Sequence, residues 1–359
     1  MFSSPFVFSF ALLLSLPLLF LLAPRILPPR RVPISLPDEL DDLALFRRAG
    51  LASSHSSAAS TVSRLGTPPK IAFLFLTNSD LVFAPLWERF FEGNERLYNI
   101  YIHADPYVGV TSPGGVFEGR FISAKKTQRS SPTLISAARR LLATAILDDP
   151  SNTFFALISQ HCVPLHSFRF VYHFLFASSL IQSSYKSDSP SQVSYRSFIE
   201  ILDSDPGLWK RYTARGKGVM MPEIPFEKFR VGSQFFILAK QQALLVIKDR
   251  KLWRKFRLPC LKVSSCYPEE HYFPTLLSME DPKGCNHYTL TSVNWTDSIN
   301  GHPHTYNRAE VSPELVYSPC WRLQIPSFSE IKVEIPRYKT ESSRINGLEV
   351  YLTEYPRHK

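Results

Sequence analysis

Two adjacent carboxylates, Glu269 and Glu270, stand in the run Tyr267-Pro268-Glu269-Glu270-His271-Tyr272-Phe273-Pro274-Thr275-Leu276-Leu277, which reads as a strand-to-helix junction. An acid at a helix start is stabilised as the anion by unpaired backbone N–H groups. An apolar surround of the kind Tyr272, Phe273 and Leu276 offer pushes its pKa the other way, toward a range useful to a proton acceptor. The competing reading is purely structural, because first-turn acids commonly do no more than complement the helix dipole. Both stay open on these residues alone.

Other polar groups fall where a ligand would be met. Arg230-Val231-Gly232-Ser233-Gln234-Phe235-Phe236-Ile237-Leu238 joins a close-approach glycine to two hydrogen-bonding side chains and a strand. As structure it is a β-edge with a tight turn, and as function it is a grip for a sugar ring. Asn294-Trp295-Thr296-Asp297 and Gly301-His302-Pro303-His304-Thr305-Tyr306 supply an aromatic platform and two imidazoles suited to stacking and phosphate contact. Asp203-Ser204-Asp205 has the form of a metal-holding triplet, but Pro206-Gly207 and a helix start follow at once, so Asp205 reads as an N-cap. No zinc-protease, paired CxxC, P-loop or dinucleotide-binding motif occurs, and no metal site is expected.

These groups need a frame. Ile71 to Leu76, Tyr98 to His103 and Phe154 to Ile158 are short apolar runs of the kind strands buried on both faces show. Between them lie two helical patterns, one from Pro85 to a stop at Gly93, the other capped by Ser131-Pro132 and ended by Asp149-Pro150. Alternation of strand and helix with short loops predicts a parallel α/β domain with ligands at the C-terminal strand ends. Thr77, Asn78, His103, Asp105, Ser159, Gln160 and His161 all fall at such ends. The half from about 179 to 318 is less regular, and no secondary structure is placed after Pro319.

The chain has 359 residues, 44% of them hydrophobic, so it can bury a sizeable core and is not disordered as a whole. A formal net charge of +10 suggests an anionic partner without choosing among nucleic acid, phospholipid, sugar nucleotide and acidic polysaccharide. Lys248 to Arg257 packs six basic residues and two aromatics into ten positions. With no nucleic-acid motif around it, this reads as a solvated helix face rather than an RNA or DNA patch. Residues 1–24 carry no ionisable side chain and are rich in Phe and Leu. The run, roughly 18 to 20 residues long, reads as an uncleaved transmembrane anchor rather than a signal peptide. Arg25, Arg30 and Arg31 on its C-terminal side favour a cytosolic body by the positive-inside rule, while the sequon at Asn294 and the close pair Cys260 and Cys266 favour the lumen. Those two thiols, among five cysteines, form either a small disulfide loop or two free thiols. Residues 25–69, rich in Pro, Ser and Ala, read as a stem, with a short amphipathic piece at Pro37 to Ala49 that reads as helical and carries no chemistry.

Collinear motifs carry a family resemblance across residues 70–318. They are Lys70 to Leu76 with Ala84 to Phe91, Tyr101-Ile102-His103-Ala104-Asp105-Pro106, Arg139-Arg140-Leu141-Leu142, Leu157 to Leu165, Gly232 to Phe236, Pro268 to Thr275 and Gly301 to His304. The chain resembles the core-2/I-branching β-1,6-N-acetylglucosaminyltransferase superfamily, and most closely its plant branch.

That resemblance implies a single-pass type II Golgi membrane enzyme with a luminal GT-A-like (Rossmann-like) domain. The implied reaction moves a sugar, GlcNAc in the animal enzymes, from a UDP-sugar to a hydroxyl with inversion and without a metal or other cofactor. It also implies Glu270 as general base, Trp295 as an acceptor contact and Asp105 at the nucleotide end of the donor. Position at strand ends and in polar loops adds His103, Ser159, Gln160, His302 and His304 as donor contacts and Gly232, Ser233 and Gln234 as acceptor contacts. The acceptor would be a glycan, a proteoglycan or a cell-wall polysaccharide. In metal-free members basic side chains meet the departing diphosphate. Here the chain departs from its relatives, running after Ser318 into a divergent tail, residues 319–359, where they place such a residue. His302, His304 and Arg308 are the stand-ins, and the alternative reading is a weak or inactive sugar-binding protein.

Overall fold

The computed structural model describes residues 40–59, 67–183 and 195–294, together with Leu13, His304 and the strand Phe328–Glu330. Its centre is a six-stranded sheet. Strands β1 (Lys70–Thr77), β2 (Tyr98–Ala104) and β3 (Asn152–Ser159) are parallel, in the order β2-β1-β3. The expected runs are therefore strands, each extended by one to three residues.

Alternation explains why β1 is apolar throughout. Ala72, Leu74 and Leu76 enter one core while Ile71, Phe73 and Phe75 enter the other, so both faces of the sheet are covered. Helix α2 (Ala84–Phe91) covers the second face, placing Trp87, Phe90 and Phe91 around Phe73 in edge-to-face contacts. Helix α3 (Pro132–Asp148) covers the first face; Ser131 caps it by accepting the Thr133 N–H, and Asp149 ends it. Helices on opposite faces follow from β2 and β3 lying on opposite sides of β1, which puts the strand-order reversal beside β1.

The less regular half completes the sheet in a way the sequence did not announce. β5 (Ser197–Phe198), β6 (Ile237–Ala239) and β7 (Cys285–Asn286) extend it beyond β3, with β6 antiparallel to β3. The end of the segment expected as a β-edge, Ile237 and Leu238, thus lies in a central strand, since β6 is flanked by β3 and β5. β4 (Cys162–Pro164) belongs to a second, three-stranded sheet with β8 (Thr291–Ser292) and β9 (Phe328–Glu330). So part of the tail that carried no readable pattern does form a strand, because β4 offers it an unpaired edge.

A correction concerns the stem. Helix α1 (Leu40–Ala59) packs on α3 and on helix α6 (Lys240–Lys248), burying Phe46 and Ala49 completely. The Arg139 guanidinium lies over the Phe46 ring and also over Trp253. Asp42 takes a two-pronged ion pair from Arg140, at 2.7 and 2.6 Å, and a third contact from Lys125 Nζ at 3.0 Å. The helical piece read at Pro37 to Ala49 is thus present and runs on to Ala59, and what the composition hid is its packing, since its apolar face closes the first core. The compact unit accordingly runs from Pro37 onward. Among the described residues no helix is long and apolar enough to cross a membrane, and the apolar run 1–24 lies outside them apart from Leu13.

Candidate active site

Helix α8 (Glu269–Glu280) starts with both glutamates in its first turn. What precedes it is a loop, not a strand: a turn at Val263–Ser265, then Tyr267 with a left-handed φ of 38°. The two acids meet different environments. Glu269 is buried; its Oε1 accepts the Ser130 N–H at 3.0 Å, and among the described residues Oε2 has no partner. Burial pushes its pKa up to about 7. Glu270 is half-exposed, and its Oε2 accepts from Arg211 Nη1 at 2.6 Å. Burial raises its pKa as well, while Arg211 and Arg129 pull it back and Asp205 adds a small push upward. Among the described residues Oε1 of Glu270 has no hydrogen-bond partner, which leaves it for an incoming proton.

Arg211 belongs to helix α5 (Leu208–Tyr212), which was read only as a helix start. Nothing in the local sequence signals its pairing, since the partner is 59 residues away. The start of the same helix and the turn before it line a cavity of about 460 Å³, with Asp203, Ser204, Asp205, Trp209 and Phe226 among its walls; Arg211 and Glu270 are not in its lining. Trp209 is 59% exposed and meets Phe226 edge-on, so an aromatic face and two carboxylates flank one hollow. Asp205 Oδ1 accepts the Gly207 N–H at 2.7 Å and so holds the turn before the helix, but the N-cap is Gly207, two residues on, and not Asp205 as expected. Among the described residues no group of three His, Cys, Asp or Glu side chains is gathered to hold a metal ion.

The Gly232 to Gln234 stretch joins this centre. The Gly232 N–H donates to the Glu270 carbonyl at 2.9 Å, and a Cβ at Gly232 would stand 1.9 Å from the Glu200 carbonyl oxygen. Only glycine fits there. His271 Nδ1 and the Thr275 hydroxyl bind the backbone of Arg230, fastening the stretch to α8.

The strand-end residues are tied into the fold. His103 is fully buried, its Nε2 accepts the Lys125 N–H at 3.3 Å, its Nδ1 has no partner among the described residues, and burial drives its pKa down to about 4, so the ring is neutral. Asp105 is buried too. Burial would raise its pKa, but hydrogen bonds from the Tyr107 N–H and from the Thr127 N–H and hydroxyl hold it below the usual carboxylate range. Its measurable work is to pin the loop that follows β2. The same loop is held at Lys125 by Asp42 and at Ser130 by Glu269, so three buried carboxylates fix it and connect β2 to the two glutamates. The Ser159 hydroxyl accepts the His161 N–H, and Gln160 Nε2 donates to Asn78 Oδ1 at 2.7 Å across the ends of β3 and β1.

Cys260 and Cys266 are joined as a disulfide, while Cys162 and Cys285 are buried thiols. The Asn294 carbonyl accepts the His304 N–H at 2.8 Å. Trp295, His302 and Arg308 lie outside the described residues. Lys248 to Arg257 turns Trp253 and Phe256 inward and leaves Arg250, Lys251 and Arg254 exposed.

Comparison with known proteins gives two findings. The family described as Branch: Core-2/I-Branching enzyme matches residues 71–318. The curated "Glycosyltransferase BC10" of Oryza sativa subsp. japonica is 28% identical over 298 residues, which cover 73% of this chain and 69% of that relative.

Proposed function

The chain belongs to the Core-2/I-branching enzyme family, and on that premise we propose a glycosyltransferase that moves a sugar from a UDP-sugar to a glycan hydroxyl with inversion. Glu270 is the general base. The observation that carries this reading is a half-buried carboxylate with one oxygen held by Arg211 and the other without a partner among the described residues, coupled to Asp205 of an aromatic and acidic cavity.

In the reaction the acceptor hydroxyl gives its proton to Glu270 Oε1 as its oxygen attacks C1 of the donor sugar. The bond from C1 to the diphosphate breaks on the opposite side, and UDP leaves with the electron pair. Arg211 keeps the carboxylate ionised until the proton arrives, and burial keeps it basic enough to take it. Trp209 offers its ring to an acceptor sugar, while Asp203 and Asp205 face sugar hydroxyls. Gly232 lets the backbone come close to the site.

The donor belongs at the ends of β1 and β3, where the strand order reverses. The loop between Asp105 and Ser130 carries Lys126 and Arg129, and Arg129 acts on both glutamates, so positive charge is at hand for the leaving diphosphate. We assign the enzyme a type II Golgi orientation anchored by residues 1–24, with GlcNAc as one candidate sugar and a cell-wall polysaccharide or proteoglycan as acceptor. The test is a UDP-release screen across UDP-sugars, with and without EDTA, run beside Glu270→Gln. Turnover that survives EDTA and disappears in the variant is the expected result. Donor binding without turnover in the unaltered enzyme overturns the reading, and full inhibition by EDTA overturns its metal independence.

A further inference from the structure

The loop that leads into the catalytic helix is held in an unusual way. Leu261 and Val263 are 75% and 57% exposed, so the segment 260–266 is not anchored by burial of its own apolar side chains. Three other restraints hold it. The disulfide closes it. The Leu261 and Lys262 N–H groups both donate to the Ala214 carbonyl, at 2.9 and 3.1 Å. Arg215 donates to the carbonyls of Phe256 and Leu258 just upstream. Ala214 and Arg215 follow α5, the helix that bears Arg211.

The far end of the loop reaches the same arginine. Cys266 is fully buried, and the next residue, Tyr267, is in the left-handed conformation, which a side chain other than glycine adopts only when neighbours over-determine it. In that conformation its ring lies 5.2 Å from the Arg211 guanidinium, whose Nη1 holds Glu270 Oε2 at 2.6 Å. The loop thus touches both members of the pair: it is hydrogen-bonded behind Arg211 and ends in the residue that packs under it.

We infer that the Cys260–Cys266 disulfide and Tyr267 are positioning elements for the Arg211–Glu270 pair, a role that rests on Glu270 being the base. Opening the loop frees Tyr267 to relax toward an ordinary backbone conformation and removes the platform under Arg211. The charged groups facing Glu270 are Arg211 on α5, Asp205 in the turn before it, Arg129 on the loop before α3 and neighbouring Glu269. Of these, the loop contacts Arg211. Loss of its close hydrogen bond removes stabilisation of the carboxylate, so Glu270 becomes harder to ionise and the acid limb of the rate profile moves to higher pH.

The experiment compares pH profiles of kcat/KM for UDP release in four forms: unaltered enzyme, the double variant Cys260→Ser/Cys266→Ser, Tyr267→Ala with the disulfide intact, and Tyr267→Phe. The double variant and Tyr267→Ala are expected to shift the acid limb upward by roughly one pH unit and to recover most of their rate on the alkaline side. Tyr267→Phe keeps the ring and is expected to keep the original limb. A merely structural loop would lower thermal stability without moving the limb. An unmoved limb in folded Tyr267→Ala overturns the inference, and that variant decides if the double variant does not fold. The same pKa is read without turnover from the carboxyl stretch in infrared difference spectra against Glu270→Gln, so an enzyme lacking a known donor still gives an answer. Glu270→Gln that retains full rate sinks the base assignment instead, which keeps the two failures apart.

Discussion

Residues 70–164 and residues 197–294 treat their polar side chains in opposite ways. In the first region strands are long, and the polar groups at their ends serve the fold. Asp105 has both oxygens engaged by the loop it pins, Ser159 holds the turn that follows it, and His103 is sealed under its own loop. In the second region strands are two or three residues long, and the groups left incomplete include acids: Glu269 and Glu270 each keep an oxygen without a partner among the described residues, whereas in the first region the strand-end atom left so is Nδ1 of the neutral His103 ring. An acid left partly unpaired is a group whose pKa its surroundings can tune toward proton transfer. On the proposed reading the regular half frames the donor site and the irregular half holds the acids.

The largest expected effect tests that division directly. Glu270→Gln should lower kcat by about 10²- to 10⁴-fold, while His103→Gln leaves kcat unchanged within assay error once the protein is folded. Equal losses in the two variants would erase the distinction between the halves.

Next comes the helix that sequence placed in a stem. Asp42→Ala leaves Arg140 buried without its counter-charge and should cost about 3 to 5 kcal/mol in urea denaturation. A chain begun at Lys70 should be correspondingly less stable than one begun at Pro37. Equal stability of those two chains would return residues 40–59 to the stem.

Glu269 gives a pH signature of intermediate size. In the folded protein it holds its proton up to about pH 7, whereas the unfolded chain loses it near the ordinary glutamate value of 4.5. Between those limits the native state binds more protons, so stability falls as pH rises and levels off above 7. The decline amounts to on the order of 3 kcal/mol. Glu269→Gln should remove it while keeping the acceptor for the Ser130 N–H, and melting curves from pH 4 to 8.5 would show whether the slope disappears.

The smallest effect concerns the cavity. Trp209→Ala should raise KM for the acceptor by about tenfold, a loss of roughly 1.4 kcal/mol, with little change in melting temperature because the ring is mostly exposed. A melting temperature that drops while KM stays put would make Trp209 part of the fold instead of the site.

Much of the first region was legible along the chain, because each of its signals is local. A buried parallel strand is an unbroken apolar run, Ser131-Pro132 starts a helix through its own hydroxyl, and Gly93 stops one by tolerating a left-handed backbone. The acidic pair was legible for the same reason. Less could be read in the second region. Two or three strand residues are too few to show a period, and β6 takes its central place only by pairing with β3 and β5. Arg211 looked like any basic residue at a helix start, and the helical piece around Phe46 and Asp42 gave no sign of its partners, which lie about a hundred residues on.

By itself the amino-acid order determined the parallel core, the positions of its strand ends, the pair of acids at a helix start and the closeness of two cysteines. Those follow from side-chain period, turn chemistry and short-range separation, which are properties of neighbours. Only the tertiary structure decided which acid is sealed and which is half-open, which arginine meets it, and that His103 and Asp105 serve the loop. Burial and Coulomb interaction depend on distance through space, and here those distances are set by packing between segments 20 to more than 130 residues apart.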